Sequence, residues 1–410
     1  MVPEVRFKGF SDDWEQLPLS KMANSFSYGL NVSSKEYDGK NKYIRITDID
    51  DNSHKLIEKS LTSPNTNLED ISDYQLKEND LLLARTGASV GKSYLYDNTD
   101  GKAFFAGFLI RVKLNKKFDE NFVFQNTLTN KYQQFVKVTS QRSGQPGINA
   151  KEYSMFKINV PKYFDEQKQI GNLLKKLDNT FELQQRQLDS YNKLKKGLLQ
   201  KLFPKDREKL PEMRFAYFTG DWEQVKLSDL TKFHKQGFYT TESYNESKKY
   251  YLLRGTDLTG NKLTIHDDTP KINASEKEFN DFKVEVGDVL LVRSGGVGTY
   301  GIVYDEVQGI FGSYLIDFRF DQTQMLNEFF GYFYESDLFK QQLRRISQKS
   351  ANLNINAENI KSISIDLPSI EEQKKIESIL KQIDSLITLQ QEKMNELEAL
   401  KKYLLQKLFI

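Results

Sequence analysis

The chain has 410 residues, enough for two or three domains. Hydrophobic residues make up 38% and charged residues 28%, the composition of a soluble protein rich in helical surface, and no apolar run approaches the roughly 18 residues of a membrane span. The absence of cysteine excludes disulfides, thiolate zinc sites and cysteine nucleophiles, the three histidines (His54, His234 and His266) lack metal-ligand spacing, and a net charge of +2 confines any nucleic-acid contact to local patches.

In chain order, the amino-terminal MVPEVRFKGF has no signal-peptide character, so a cytoplasmic location is expected. Short apolar runs bounded by Gly, Asp and Asn predict strands at 43–46, 80–84 and 104–112, and a helix is expected over 120–135. A much longer helix follows over 166–203. Its apolar residues, among them Ile170, Leu173, Leu174, Leu177, Phe181, Leu188, Leu194, Leu198 and Leu202, recur mostly at steps of three and four, which is one apolar stripe on a polar rod. Asp165 is placed to cap it and Pro204 to stop it. Gly197 is a local weakness in this rod. Strands are expected again at 289–292 and 312–320, a helix over 325–346, and a second rod over 372–409, opened by a capping box of Ser369 and Glu372. Each rod is about 55 Å long at 1.5 Å per residue, too long to hide its stripe in a small domain, so each is the other's natural partner in a coiled coil.

The second half repeats the first. Glu166 and Phe203 recur 206 residues later as Glu372 and Phe409, with Leu-Leu-Gln-Lys-Leu-Phe closing both rods. Asp13-Trp14-Glu15-Gln16 returns as Asp221-Trp222-Glu223-Gln224, and these are the only tryptophans. The strand beginning at Tyr43 is echoed from Tyr251, and Asp80-Leu81-Leu82-Leu83-Ala84-Arg85-Thr86-Gly87 is echoed by Asp288-Val289-Leu290-Leu291-Val292-Arg293-Ser294-Gly295. The predicted organisation is a globular domain at 1–163, a long helix at 164–204, a second domain at 205–369 and a second long helix at 370–410. The fold class is α/β in the mixed α+β sense, duplicated internally. Between the copied blocks the halves differ, as expected if one job is done on two targets. The stretch before the first rod is one residue longer than its counterpart, which shifts the first domain relative to its helix.

Two glycine-rich turns imitate nucleotide motifs. Gly296, Gly298 and Gly301 spell a dinucleotide fingerprint, but the following Ile302-Val303-Tyr304 reads as a strand where the motif needs a helix. Gly87 to Ser93 is one residue short of a phosphate loop. Equivalent loops that imitate different motifs are better read as turns whose bare backbone approaches a ligand, with Arg85, Arg293 and Lys92 beside it. No catalytic constellation or amino-methyltransferase tetrapeptide is present. The divergent loops are rich in Lys40, Lys42, Gln141, Arg142, Ser143, Gln145, Lys248, Lys249, Gln348, Lys349, Asn352 and Asn354. Arg, Asn and Gln suit base edges and Lys and Ser suit phosphates. Arg45, Thr86, Arg254 and Ser294, at the adjoining strand ends, complete the candidate DNA-contacting set.

In their order, twice over, the Asp-Trp-Glu-Gln openings, the Tyr-Ile-Arg-Ile-Thr-Asp-Ile type strand, the Asp-x-Leu-Leu-x-Arg strand and turn, and a proline followed by Glu-Gln-Lys-x-Ile resemble the specificity subunit of type I restriction–modification enzymes across essentially the whole chain. The resemblance implies two target-recognition domains, and rods packed antiparallel with a pseudo-two-fold. It further implies a bipartite asymmetric duplex target with a gap set by the rods, and assembly with two methyltransferase and two restriction/translocase subunits. It places S-adenosylmethionine, ATP and Mg in those partners and none in this chain. The alternatives are a self-contained DNA-modifying enzyme and a coiled-coil scaffold whose end domains bind protein.

Overall fold

The continuous apolar run from Leu81 to Ala84 demands cover on both faces, and the computed structural model supplies it. The strand Asp80–Ala84 lies inside a four-stranded antiparallel sheet, between Leu109–Leu114 and Ser93–Leu95, with Ala23–Tyr28 on the outer side of Leu109–Leu114. Leu81 and Leu83 face one core with Ile110 and Val112, while Leu82 and Ala84 face a second with Tyr94 and Leu109. The structure describes every residue except 1, 143, 242, 244–247, 294–298, 348–355 and 410. These residues form two compact units, 1–186 with 392–410, and 187–391.

In the first unit, Lys42–Ile44 pairs in parallel with Ala103–Phe105, and Glu15–Pro18 pairs antiparallel with Lys157–Val160. The second unit repeats the frame. Val289–Val292 lies between Leu315–Phe320 and Tyr300–Ile302, Tyr250–Leu253 runs parallel to Gly309–Phe311, and Glu223–Lys226 pairs with Ser364–Leu367. Val289 and Leu291 again face one core while Leu290 and Val292 face another.

Several expected elements are shorter than the sequence suggests. The helix expected over 120–135 is two, Glu120–Asn126 and Asn130–Thr139. Thr127 and Thr129 donate their hydroxyls to the carbonyls of Phe124 and Asn126, and Thr129 then caps the next helix through the Tyr132 amide. The helix expected over 325–346 is likewise Asn327–Glu335 and Asp337–Ser347, with the Ser336 hydroxyl accepting from the Phe339 amide. The strand expected over 104–112 is two, separated by a tight turn at 106–108.

The long helices are Phe164–Leu202 and Ile370–Leu408. Asp165 sits inside the first helical turn rather than capping it, whereas the Ser369 hydroxyl does accept from the Glu372 amide. In the first unit, Ile170 and Leu174 share a core with Leu404 and Leu408, and Asp178 pairs with Lys401 at 2.6 Å. In the second, Leu198 and Leu202 share a core with Ile376 and Leu380, and Lys195 pairs with Asp384 at 2.8 Å. Ascending numbers on one helix meet descending numbers on the other, so within each unit the segments run antiparallel.

The Glu-Gln pair that opens each helix attaches the globular part to it. Gln167 donates to the Pro161 carbonyl at 3.2 Å and accepts from the Asp119 amide, and Gln373 donates to the Pro368 carbonyl at 3.1 Å and accepts from the Leu326 amide. The extra residue of the first half is therefore absorbed between Pro161 and the helix, and the anchor is kept.

Candidate nucleic-acid interface

The strand Asp80–Ala84 delivers Arg85 to a turn that reverses the chain over 85–92. Gly87 and Gly91 take φ of +78° and +89°, conformations that L side chains rarely adopt. The turn docks on main chain of the 140–148 loop. The Gly87 amide donates to the Pro146 carbonyl at 3.0 Å, the Ile148 amide donates to the Arg85 carbonyl at 2.9 Å, and the Gly147 amide donates to the Ser140 carbonyl at 3.1 Å. Thr86 and Gly147 form a bridge, and a Cβ built on Gly87 would lie 3.1 Å from Nε2 of the Gln145 side chain. The bare backbone thus approaches this loop.

That docking gathers Arg85, Thr86, Gln141, Arg142 and Gln145, the last three exposed. The Arg85 guanidinium carbon lies 5.0 Å from the centre of the Tyr28 ring, and its Nε is buried without a hydrogen-bond partner. The Tyr28 hydroxyl accepts from the Ala150 amide. Arg142 pairs with Glu152 and donates to the carbonyls of Thr139 and Gln141. Cations and amides on a rigid turn beside an aromatic ring can meet both phosphates and base edges.

Not every candidate joins this surface. The Lys42 and Lys92 side chains are mostly buried. Lys42 pairs with Glu58 at 3.4 Å, and Lys92 donates to the Ile49 carbonyl and pairs with Asp51. Arg45 holds Asp48 through Nε at 2.9 Å and Nη2 at 2.7 Å, a hydrogen-bonded pairing that raises the guanidinium pKa above its ordinary value. These three groups brace the domain internally. Lys40 is exposed on its own loop.

The second unit repeats the pattern with different surroundings. Arg254 holds Asp257 as Arg45 holds Asp48. The Arg293 amide donates to the Tyr314 carbonyl at 2.9 Å, as the Arg85 amide donates to the Phe108 carbonyl at 3.0 Å. A cleft of about 670 Å³ opens between Tyr239, Arg254, Thr299 and Tyr314. Lys248 donates to the Ser243 carbonyl, and the Lys249 ammonium lies 4.8 Å from the centre of the Tyr250 ring. Ser143, Ser294, Gln348, Lys349, Asn352 and Asn354 lie outside the described residues.

Sequence reasoning misses the aromatic component. Tyr28, Phe108, Tyr239 and Tyr314 are exposed. The available signal is the recurrence of Phe108-Leu109-Ile110 as Tyr314-Leu315-Ile316 at the repeat offset. Among the described residues, no group of three or more His, Asp or Glu could hold a metal ion, and no helix is long and apolar enough to cross a membrane.

A family model for the type I restriction modification DNA specificity domain matches residues 11–192 and again 219–399. The chain is 25% identical over 336 residues to the type I restriction enzyme MjaVIII specificity subunit of Methanocaldococcus jannaschii, covering 80% of this chain and 77% of that protein. It is 25% identical over 408 residues to the putative MjaX specificity subunit of the same organism, covering 95% and 91%. Among solved structures, the S subunit of a type I restriction–modification system from M. genitalium matches with a TM-score of 0.67 at 16% identity, covering 100% of this chain and 99% of that one. A chain from a structural study of assembly and conformational transition in the type I system matches with a TM-score of 0.55 at 17% identity, covering 98% and 99%. At those identities the structural likeness speaks to fold.

Proposed function

The chain belongs to the type I restriction–modification DNA specificity family, and on that premise we propose that it is the subunit that selects the DNA target for a methyltransferase and endonuclease complex, reading one half of a bipartite asymmetric sequence with each recognition domain. The duplicated strand and the arginine that ends it carry this reading. The same strand, the same arginine and the same amide-to-carbonyl bond recur in both units, while flanking groups change: Tyr28, opposite Ile110, becomes Gln236, opposite Ile316, and Gly107 becomes Ser313. A shared frame with different surface chemistry suits two docking events on unlike half-sites.

In this proposal the candidate residues outside the described segments contact DNA as well, and Lys40, Lys248 and Lys249 contact phosphates. The length of the long helices sets the gap, about 55 Å against a duplex turn of about 34–36 Å. The helices and the segments anchored to them carry two methyltransferase subunits, and two restriction/translocase subunits complete the complex in the cytoplasm. Those partners, not this chain, hold S-adenosylmethionine, ATP and Mg.

The test is modified-base sequencing of host DNA with and without the gene, followed by exchange of residues 1–163 for another recognition domain. One gapped motif methylated on both strands should vanish on deletion. The exchange should alter only one half of the motif, and a change in both halves would overturn the modular reading.

A further inference from the structure

Resting on the proposal that the Arg85 and Arg293 surfaces face DNA, we infer that Phe108 and Tyr314 are base-contacting residues, one in each recognition domain, whose rings pack against base pairs of the half-site that domain reads. Each ring stands on the turn that joins two strands, Ala103–Phe105 to Leu109–Leu114 and Gly309–Phe311 to Leu315–Phe320. Phe108 is 61% exposed and Tyr314 68% exposed. An apolar ring held in water at one position invites no account, but its recurrence at the equivalent turn of both halves does. Leu109 and Ile110 recur as Leu315 and Ile316 because they are buried, but Gly107 becomes Ser313 and Arg111 becomes Asp317.

The backbone under each ring is pinned from two sides. The Arg85 and Arg293 amides take the carbonyls of Phe108 and Tyr314. On the opposite flank, the Leu30 amide donates to the Phe105 carbonyl at 2.9 Å and the Phe238 amide donates to the Phe311 carbonyl at 2.8 Å. Gly29 and Gly237 pass so close that a Cβ on either would lie 2.0 Å from the carbonyl oxygen of Ala106 or Gly312. The turn is rigid while the ring it carries touches water, which is the arrangement of a preorganised contact.

The chemistry selects bases over phosphates. A phenyl ring has no polar atom for a phosphate oxygen, whereas it can lie on a thymine methyl or against a base step. The arginine one hydrogen bond away supplies the donors for a base edge, so apolar and polar readout arrive together. Tyr314 adds a hydroxyl that Phe108 lacks, but the ring that packs against the bases is common to both.

The experiment selects bound sequences from a randomised duplex pool, using the full chain purified with its methyltransferase subunits, as wild type and as Phe108→Ala, Tyr314→Ala, Phe108→Tyr and Arg85→Ala. Phe108→Ala should lose about tenfold discrimination at positions within one half-site only, and Tyr314→Ala the same in the other half. Phe108→Tyr should keep the selected sequence. Affinity for a non-specific duplex and the melting temperature should be unchanged by both alanine variants, because the rings are exposed. If both alanine variants keep full discrimination while Arg85→Ala loses it, the rings do not contact bases and the DNA-facing reading survives. If all three keep it, that reading falls as well. An equal loss on specific and non-specific duplex, or a fall in melting temperature, would make the rings backbone anchors or structural groups and overturn the inference.

Discussion

Arg6 grips Glu166 through two parallel hydrogen bonds, Nε to Oε1 at 2.6 Å and Nη2 to Oε2 at 2.9 Å. Glu166 is fully buried at the start of the long helix and also accepts from the Trp14 indole nitrogen at 3.3 Å. The second unit repeats the grip with Arg214 on Glu372, both bonds at 2.8 Å, but there the Trp222 nitrogen is buried without a hydrogen-bond partner. The segment that opens each half is thereby fastened to the helix that closes it.

The first prediction follows from that burial. Arg6→Ala leaves a carboxylate in a dry site and should destabilise the first unit by about 3 kcal/mol. Adding Glu166→Gln should recover part of the loss, because the stranded charge is gone. Trp14→Phe should cost more than Trp222→Phe, since only Trp14 makes the indole bond. Denaturant unfolding of the five proteins, wild type included, checks all three statements.

Glycines supply the second. Nothing lies within 4 Å of a Cβ built on Gly197, in the interior of a helix, so Gly197→Ala should stabilise by about 1 kcal/mol. Gly91→Ala should destabilise, because its φ is +89° and the new carbon would sit 2.7 Å from both Val136 methyls. Gly237→Ala should be the most damaging, since it meets a main-chain carbonyl that cannot rotate away. Thermal melts of the three variants should fall in that order, and a neutral Gly237→Ala would contradict the described close pass.

How much of this was legible in the sequence depends on the period of the signal. The long helices show through because a stripe like Ile376, Leu380 and Ile383 repeats over many turns. The strand Asp80–Ala84 shows because its run is apolar on both faces and bounded by charge. The split at Thr127 and Thr129 does not show, because a threonine that continues a helix and one whose hydroxyl takes the carbonyl three residues back look alike in sequence. The internal roles of Lys42 and Lys92 depend on Glu58 and Asp51, partners too distant in sequence to pair by eye. Arg45 with Asp48 and Arg254 with Asp257 carried a readable cue, an arginine three residues before an aspartate in both halves.

A third prediction separates two equivalent ion pairs. Lys195 lies 2.7 Å from Glu335 and 2.8 Å from Asp384, whose other oxygen accepts from the Tyr332 hydroxyl. Burial opposes its charge, but the two carboxylates outweigh burial and raise its pKa. Lys401 is the counterpart, with Asp178 at 2.6 Å. Lys195→Met strands two carboxylates and should cost about 2 kcal/mol, whereas Lys401→Met strands one and should cost about 1 kcal/mol. Hydrogen exchange should localise the first loss to residues of the second unit and the second loss to the first unit.

The last concerns pH. In the first unit Arg111 reaches Asp80 at 3.8 Å across the sheet; in the second, Asp317 occupies the position equivalent to Arg111, and the arginine has moved to Arg319, which holds Asp288 at 2.6 Å. Asp317 is fully buried, neither of its oxygens accepts a hydrogen bond, and burial with the neighbouring Asp288 charge pushes its pKa up to about 8. A raised carboxylate pKa means the folded unit holds a proton that the unfolded chain releases above about pH 4. Folding is therefore favoured at low pH, and this contribution is lost as pH rises from about 4 towards 8, then levels off. Asp317→Asn keeps the shape without the titration. It should flatten the fall between pH 6 and pH 8 and raise the melting temperature of the second unit more at pH 8 than at pH 6. Equal stabilisation at both pH values would mean that Asp317 is already charged in the folded protein, held so by Arg319.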